Sequence, residues 1–161
     1  MIMRKIKNPW VHKEGYFCFG CAPNNPMGIK MEFYEDGDDI VSVWSPSKYY
    51  QGWVNTLHGG ITSTLLDEVC GWVVSRKLQT TGVTSKLEVH FHKPIMTTEP
   101  RVTVRAHLVE MKRNIAFIEG QIINEQGEVC TTCKAVYFTF AHEKAVEMGY
   151  CGCELEEESG E

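Results

Sequence analysis

The residues that decide the fold run His58-Gly-Gly-Ile-Thr-Ser-Thr-Leu-Leu-Asp-Glu-Val-Cys-Gly-Trp-Val-Val-Ser-Arg-Lys77 and, after Gly82, Val83-Thr-Ser-Lys-Leu-Glu-Val-His-Phe-His92. The first half has a helical period. Ile61, Leu65, Val69 and Trp72 form one stripe, with Leu66, Cys70 and Val73 beside it. Asn55 or Thr56 is placed to cap its start, and Arg76 and Lys77 stand at the negative end of its dipole. Apolar residues cover so much of its circumference that a buried, central helix is expected. The second half alternates with a period of two. Val83, Ser85, Leu87, Val89 and Phe91 take one face, and Thr84, Lys86, Glu88, His90 and His92 the other, until Pro94 closes the strand.

Upstream of the helix, Ile29, Met31 and Phe33 alternate with Lys30, Glu32 and Tyr34. Val41 and Val43 follow the Asp36-Gly37-Asp38 turn, which predicts a hairpin. Downstream, strands are expected over 101–110, 114–123 (ended by Asn124-Glu-Gln-Gly127) and 129–140. The order β-β-α-β-β-β-β, with one long helix and short connections, predicts an α+β fold in which a curved antiparallel sheet wraps the helix. Residues 29–140 form the domain, 1–28 an irregular segment rich in turn formers, and 141–161 an acidic, solvated tail.

The 161 residues suit one domain, and 43% hydrophobic with 23% charged residues is ordinary globular usage. A formal charge of −5 opposes nucleic-acid coating or an anionic membrane surface as the main task, because binding to phosphate needs net cations. The amino end has no apolar h-region and no run is long enough to span a bilayer, so a soluble, cytoplasmic protein is expected.

Two features of 52–68 carry chemistry. His58-Gly59-Gly60 opens the helix, where free backbone N–H groups and the positive dipole end make an anion or oxyanion site. Asp67 lies mid-helix among Leu65, Leu66 and Val69, where a carboxylate is costly unless hydrogen-bonded or catalytic. Taken alone, His58 can also be a capping or packing histidine, and Asp67 a solvent-facing neighbour of Glu68. Nine residues at ~100° each amount to ~900°, which sets His58 and Asp67 on roughly opposite helix faces. A single site using both is most easily built from two copies of the chain.

With these residues in hand, the chain resembles the hotdog-fold acyl-CoA thioesterases, and within them the phenylacetyl-CoA thioesterase-like branch of the 4-hydroxybenzoyl-CoA thioesterase superfamily. The resemblance covers about residues 18–140. It rests on His58-Gly59-Gly60 through Leu65-Leu66-Asp67, on Cys18, Cys21, Asn25, Pro26 and Gly28, on Gln51-Gly52-Trp53, on Val83-Thr84 and on the turn containing Arg113. It implies hydrolysis of an acyl-CoA thioester to a carboxylate and CoA, with no cofactor beyond the CoA of the substrate. The Gly60 N–H would polarise the carbonyl with support from His58, Gly59 would line the same end, and Asp67 of the other subunit would activate water or attack. Thr84 matches a position whose hydroxyl holds the water. An asparagine that some relatives carry falls at Gly52 here, so Asn55 is the nearest substitute. A homodimer formed through the 83–92 strands, and beyond it a homotetramer, follows from the same likeness.

For the phosphates of CoA, the cations in or near turns are Arg113, Lys112 and Lys93. Trp53, Trp72 and the 18–28 segment are expected around the acyl group. Seven cysteines, an odd number, argue against a complete disulfide framework. Cys130 and Cys133 stand three apart on a strand and so on opposite faces. Cys18 and Cys21 with Cys151 and Cys153 could close a four-sulfur zinc site, but plain thiols and no metal are the expectation. Two other functions share the fold: a hotdog enoyl-CoA hydratase or dehydratase, and a non-catalytic acyl-CoA-binding protein.

Overall fold

The computed structural model describes residues 3–158. Its elements are β1 (Arg4–Lys5), β2 (Tyr34–Asp36), β3 (Asp39–Trp44), a short 3-10 turn (Lys48–Tyr50), α1 (Gly59–Lys77), β4 (Gly82–Phe91), β5 (Val102–Lys112), β6 (Ile115–Ile123), β7 (Val129–Thr139) and α2 (His142–Glu147). The strands form one antiparallel sheet in the order β1-β2-β3-β5-β6-β7-β4. Its concave face packs on α1. This is the α+β architecture expected from the change of period along the chain, and the hotdog fold that the resemblance implies.

The apolar surround of α1 explains its depth. Leu65, Leu66, Val69, Cys70 and Val73 are fully buried, against Val104, Ala116, Ile118 and Ala135 of the sheet. Each such side chain contributes about 1.5–3 kcal/mol relative to exposure, so the helix is held by the sheet and not by its own propensity. At its far end Arg76 and Lys77 meet Glu35 of β2 at 3.2 and 2.6 Å. Burial works against the Glu35 carboxylate, but the hydrogen bonds from these two cations outweigh it and hold its pKa below the ordinary range. A lowered folded-state pKa stabilises above the unfolded value and is lost as pH falls through the folded one. Glu35→Gln is therefore expected to lower Tm near neutrality and to flatten its loss below about pH 4, where variant and wild type converge, as read from melts across that range. An unchanged acid limb would remove this role.

Four expectations need correction. Residues 29–33 alternate in burial, yet the strand β2 begins only at Tyr34. Lys30 adopts a positive φ of 54°, and Ile29 N and Met31 N donate to Phe19 O and Gly20 O at 2.9 Å each. The alternation thus records packing under the 18–21 segment, not pairing with β3. The helix cap is His58, not Asn55 or Thr56; Asn55 sits in the preceding turn with φ 59°. Residues 1–28 are not wholly irregular, since β1 joins the sheet. The 141–158 stretch is not a solvated tail: α2 docks Ala145, Tyr150 and Cys153 are buried, and Leu155 bridges Ile6. The last three residues, 159–161, lie outside the described residues.

The parity of β4 is a fifth. A bulge between Thr84 and Lys86 inserts one residue opposite β7. It flips the phase, so that Thr84 faces the helix although Leu87 and Val89 do too. Val83 turns out and is 53% exposed.

Candidate active site

Asp67 lies midway along α1, half-buried on the side that faces the start of β4 and the end of β7. Thr84 Oγ1 donates to Asp67 Oδ1 at 2.7 Å. Tyr137 Oη is 2.6 Å from the same Oδ1 and 2.7 Å from the Asp67 carbonyl oxygen, so one phenolic proton serves both. Burial, with the nearby Cys70 and Asp67 charges, pushes the Tyr137 pKa up, which keeps the phenol a neutral donor. Both hydroxyls converge on Oδ1. Among the described residues no donor is placed on Oδ2, so that oxygen is the one free to meet a water molecule.

Tyr137 escaped the sequence reading. Its signal was faint: a tyrosine on the inward phase of β7, between Ala135 and Thr139, whose buried hydroxyl needs a partner. The bulge brings Thr84 into the same cluster against the polar phase it holds in the sequence.

The other end of the site is the N-terminus of α1. His58 Nδ1 accepts from Gly60 N at 2.8 Å, and Thr62 N donates to His58 O at 2.9 Å. The Gly60 N–H, expected to face substrate, is therefore engaged by the imidazole. Among the described residues no group accepts from Gly59 N or Ile61 N, so the first turn keeps donors for an oxyanion beside it. Gly60 is required here by space, because a Cβ would stand 2.9 Å from His58 Nδ1. Gly59 lies over Phe91, at the end of β4. Asn55 is exposed; its N–H donates to Gln51 Oε1 and its carbonyl accepts from Thr97 N, which gives it a turn-building place beside the site.

Within one chain, then, the two ends do not meet. Asp67 lies near Thr84 at the start of β4, and the His58-Gly60 turn near Phe91 at its end, a separation along the strand of roughly 20 Å. The cations divide in the same way. Arg113 stands exposed in the β5–β6 turn with φ 56°, close to the start of β4 because Asn114 O accepts from Thr139 N. Lys93 follows the end of β4 and pairs with Glu128. Lys112 reaches over the Phe117 ring.

A cavity of about 300 Å3 opens one helical turn beyond Asp67, lined by Trp10, Tyr16, Gly71, Trp72, Gly82 and Tyr137, with Cys18, Cys21 and Glu68 in its wall. Trp72 and residues of the 18–21 segment thus line this cavity. Trp53 does not, being 82% exposed on the loop before α1. A larger cavity, about 690 Å3, lies elsewhere, among Asp39, Arg105, His107 and Lys134, and includes none of the Asp67 cluster. Its size carries no argument against the smaller one, because nothing in its wall matches the chemistry above.

An acid held by two hydroxyls on the central helix of a hotdog sheet defines the class of protein. Residues 54–131 match the family model of the thioesterase superfamily. Solved structures agree on the fold. A thioesterase superfamily protein aligns with 75% of this chain and 62% of its own at 22% identity and a TM-score of 0.70. This chain thus spans less than two thirds of that relative. A hypothetical thioesterase of Streptococcus pneumoniae, solved with coenzyme A, is 21% identical over 69% of this chain and 86% of its own, TM-score 0.64. A Bacillus halodurans protein solved with CoA is 29% identical over 67% and 71%, TM-score 0.58. Comparison with curated proteins finds no match. No helix among the described residues is long and apolar enough to cross a membrane.

Proposed function

We propose that this protein hydrolyses an acyl-CoA thioester to a free carboxylate and CoA, in a site that two copies of the chain build together. The observation that carries the reading is the Asp67 carboxylate, fixed through Oδ1 by Thr84 and Tyr137 with Oδ2 left open. In this scheme Asp67 takes a proton from water, whose oxygen attacks the carbonyl carbon. The tetrahedral oxyanion forms against first-turn N–H groups of α1 in the other copy, supported by His58. Collapse breaks the C–S bond, and the departing CoA sulfur takes the proton back from Asp67. Direct attack by Asp67, giving a mixed anhydride that water then opens, uses the same geometry.

The need for two copies is supported by the sheet. β4 is an edge strand of ten residues with an open row of backbone groups, and such an edge invites another strand. If β4 pairs antiparallel with its own copy about a two-fold axis, the start of one strand meets the end of the other. Asp67 of one chain then approaches the His58-Gly60 turn of the second, and Arg113 comes toward Lys93 across the axis, beside the path of a polyanionic CoA. Association of such dimers into a tetramer belongs to the same proposal, as does the phenylacetyl-CoA thioesterase-like branch. A cytoplasmic setting, where acyl-CoA substrates are made, is the matching location. The cavity beside Tyr137 and Trp72 is the chamber for the acyl group, with an aromatic lining suited to an apolar chain or ring.

A thiol-release assay over a panel of acyl-CoAs tests the activity. Release of CoA supports it, binding without turnover gives the non-catalytic reading, and hydration of an enoyl-CoA gives the hydratase. Tyr137→Phe removes one of the two hydroxyls on Oδ1. It is expected to lower kcat about 10-fold with KM little changed, and to cost about 1 kcal/mol of stability. A variant with wild-type kcat would show that Tyr137 only fills space.

A further inference from the structure

Glu68, next to the catalytic aspartate, points the other way, into the 18–21 segment, and none of the ion pairs among the described residues uses it. What surrounds it is sulfur. One ligand atom each from Cys18, Cys21 and Glu68 lies within 4.8 Å of the other two. Cys18 Sγ is 3.6 Å from Glu68 Oε1. With metal–sulfur and metal–oxygen bonds of about 2.3 and 2.0–2.2 Å, the S···O edge of a tetrahedral zinc site is about 3.5–3.7 Å.

We propose that Cys18, Cys21 and Glu68 form a three-ligand site for a borderline-soft divalent cation, zinc foremost, with the fourth position open to water from the adjoining cavity. Two thiolates with a carboxylate match that choice of ion, whereas magnesium or calcium would require oxygen ligands throughout.

The surroundings are built as a metal site requires. Ala22 N donates to Cys18 O at 3.0 Å, closing a turn that presents both sulfurs to α1. Gly20 lets that turn lie on the carboxylate, since a Cβ there would stand 2.4 Å from Glu68 Cδ. Two of the three ligands have an outer side-chain donor. Tyr16 Oη is 2.7 Å from Cys21 Sγ and donates to it once the sulfur is a thiolate. Trp72 Nε1 donates to Glu68 Oε1 at 3.3 Å. Asn8 Nδ2 in turn holds Tyr16 Oη at 3.0 Å. Such outer partners orient ligands and raise affinity. Cys151 and Cys153 are not part of it: Cys151 Sγ approaches Pro9 O, and Cys153 N donates to Gln79 Oε1 beside the end of α1. The pairing of termini through four sulfurs is replaced by two sulfurs and a carboxylate that fasten the 18–21 segment to the helix. This departs from the expectation of plain thiols.

The test uses the untagged, chelator-washed full chain under a thiol-free reductant, titrated with Co2+ and then with Zn2+. One ion per chain is expected, with the absorption of tetrahedral cobalt and a thiolate-to-cobalt charge-transfer band that zinc abolishes. Cys18→Ser should lose that band, and Tyr16→Phe should keep it while binding about 10–100-fold more weakly. Circular dichroism confirms that each variant is folded. The readout is independent of thioester hydrolysis, so it can fail while that reading stands. A folded wild type that takes up neither ion overturns the proposal, as does uptake without the thiolate band or equal uptake by Cys18→Ser. So does a reduced protein whose two thiols remain equally reactive with and without zinc.

Discussion

Asp67→Asn is expected to lower kcat about a thousandfold, within the 10²–10⁴ range that a positioned acid–base group supplies. The amide oxygen can still accept from Thr84 and Tyr137, so the local packing persists and Tm should move by only a few degrees. What is lost is the ability to take a proton from water at Oδ2, or to attack. A substrate that binds with unchanged KM but is no longer cleaved is the expected pattern. Single-turnover reactions in heavy-oxygen water divide the two chemistries. Label found only in the product carboxylate indicates activated water, and label entering Asp67 indicates an anhydride. An Asp67→Asn variant with near wild-type turnover would end the assignment of this residue, whatever the substrate.

The second large effect concerns the shared site. Asp67→Asn and His58→Ala are each expected to be defective, the latter by about 100-fold if it supports the oxyanion donors. Their defects lie at opposite ends of β4 and so, in the proposed dimer, in different halves of each site. In a dimer that carries one of each variant, one site collects both defects and the other collects neither. Random mixing on co-expression gives half mixed dimers, each with one intact site of two, and hence activity of about a quarter of wild type. Recovery of this size from two impaired chains has no explanation in a site contained within one chain. Mixed preparations that stay at the average of the parents would refute the shared site, and light scattering showing an active monomer would do so independently.

The helix and the four strands that follow it were legible because each has a clean period over at least nine residues, and burial enforces the period. Asp67 was legible as well, through the cost of a carboxylate among leucines. Its partners were not legible in the residue pattern, and Thr84 entered only through the family resemblance. Tyr137 is separated from Asp67 by 70 positions, and only the register of β7 against β4 brings the two together. Thr84 stood on the wrong phase because a one-residue bulge leaves no mark in alternation. The cap was misplaced for a related reason. Ranking side chains by capping tendency favours Asn55 or Thr56, whereas the chain enters the helix at His58, whose imidazole nitrogen accepts the bond. Composition misled at the other end, where glutamates dominate 154–158 and conceal the anchoring roles of Tyr150, Cys153 and Leu155.

Those anchors bear on how many chains can join. The sheet ends on one side in β1, two residues long, and the strand-like run after α2 closes over it: Lys7 N donates to Glu154 O, and Glu156 N to Lys5 O. Lys5 with Glu156 and Lys7 with Glu154 add charge along that border. Among the described residues, nothing covers the opposite border, β4, in this way. A sheet that is sealed on one side and open on the other can accept one partner at the open side, and the sum of the two is sealed on both. In the proposed dimer, extension edge to edge would stop there, and a chain that exposes ten residues of strand would be kept from running on into a fibril.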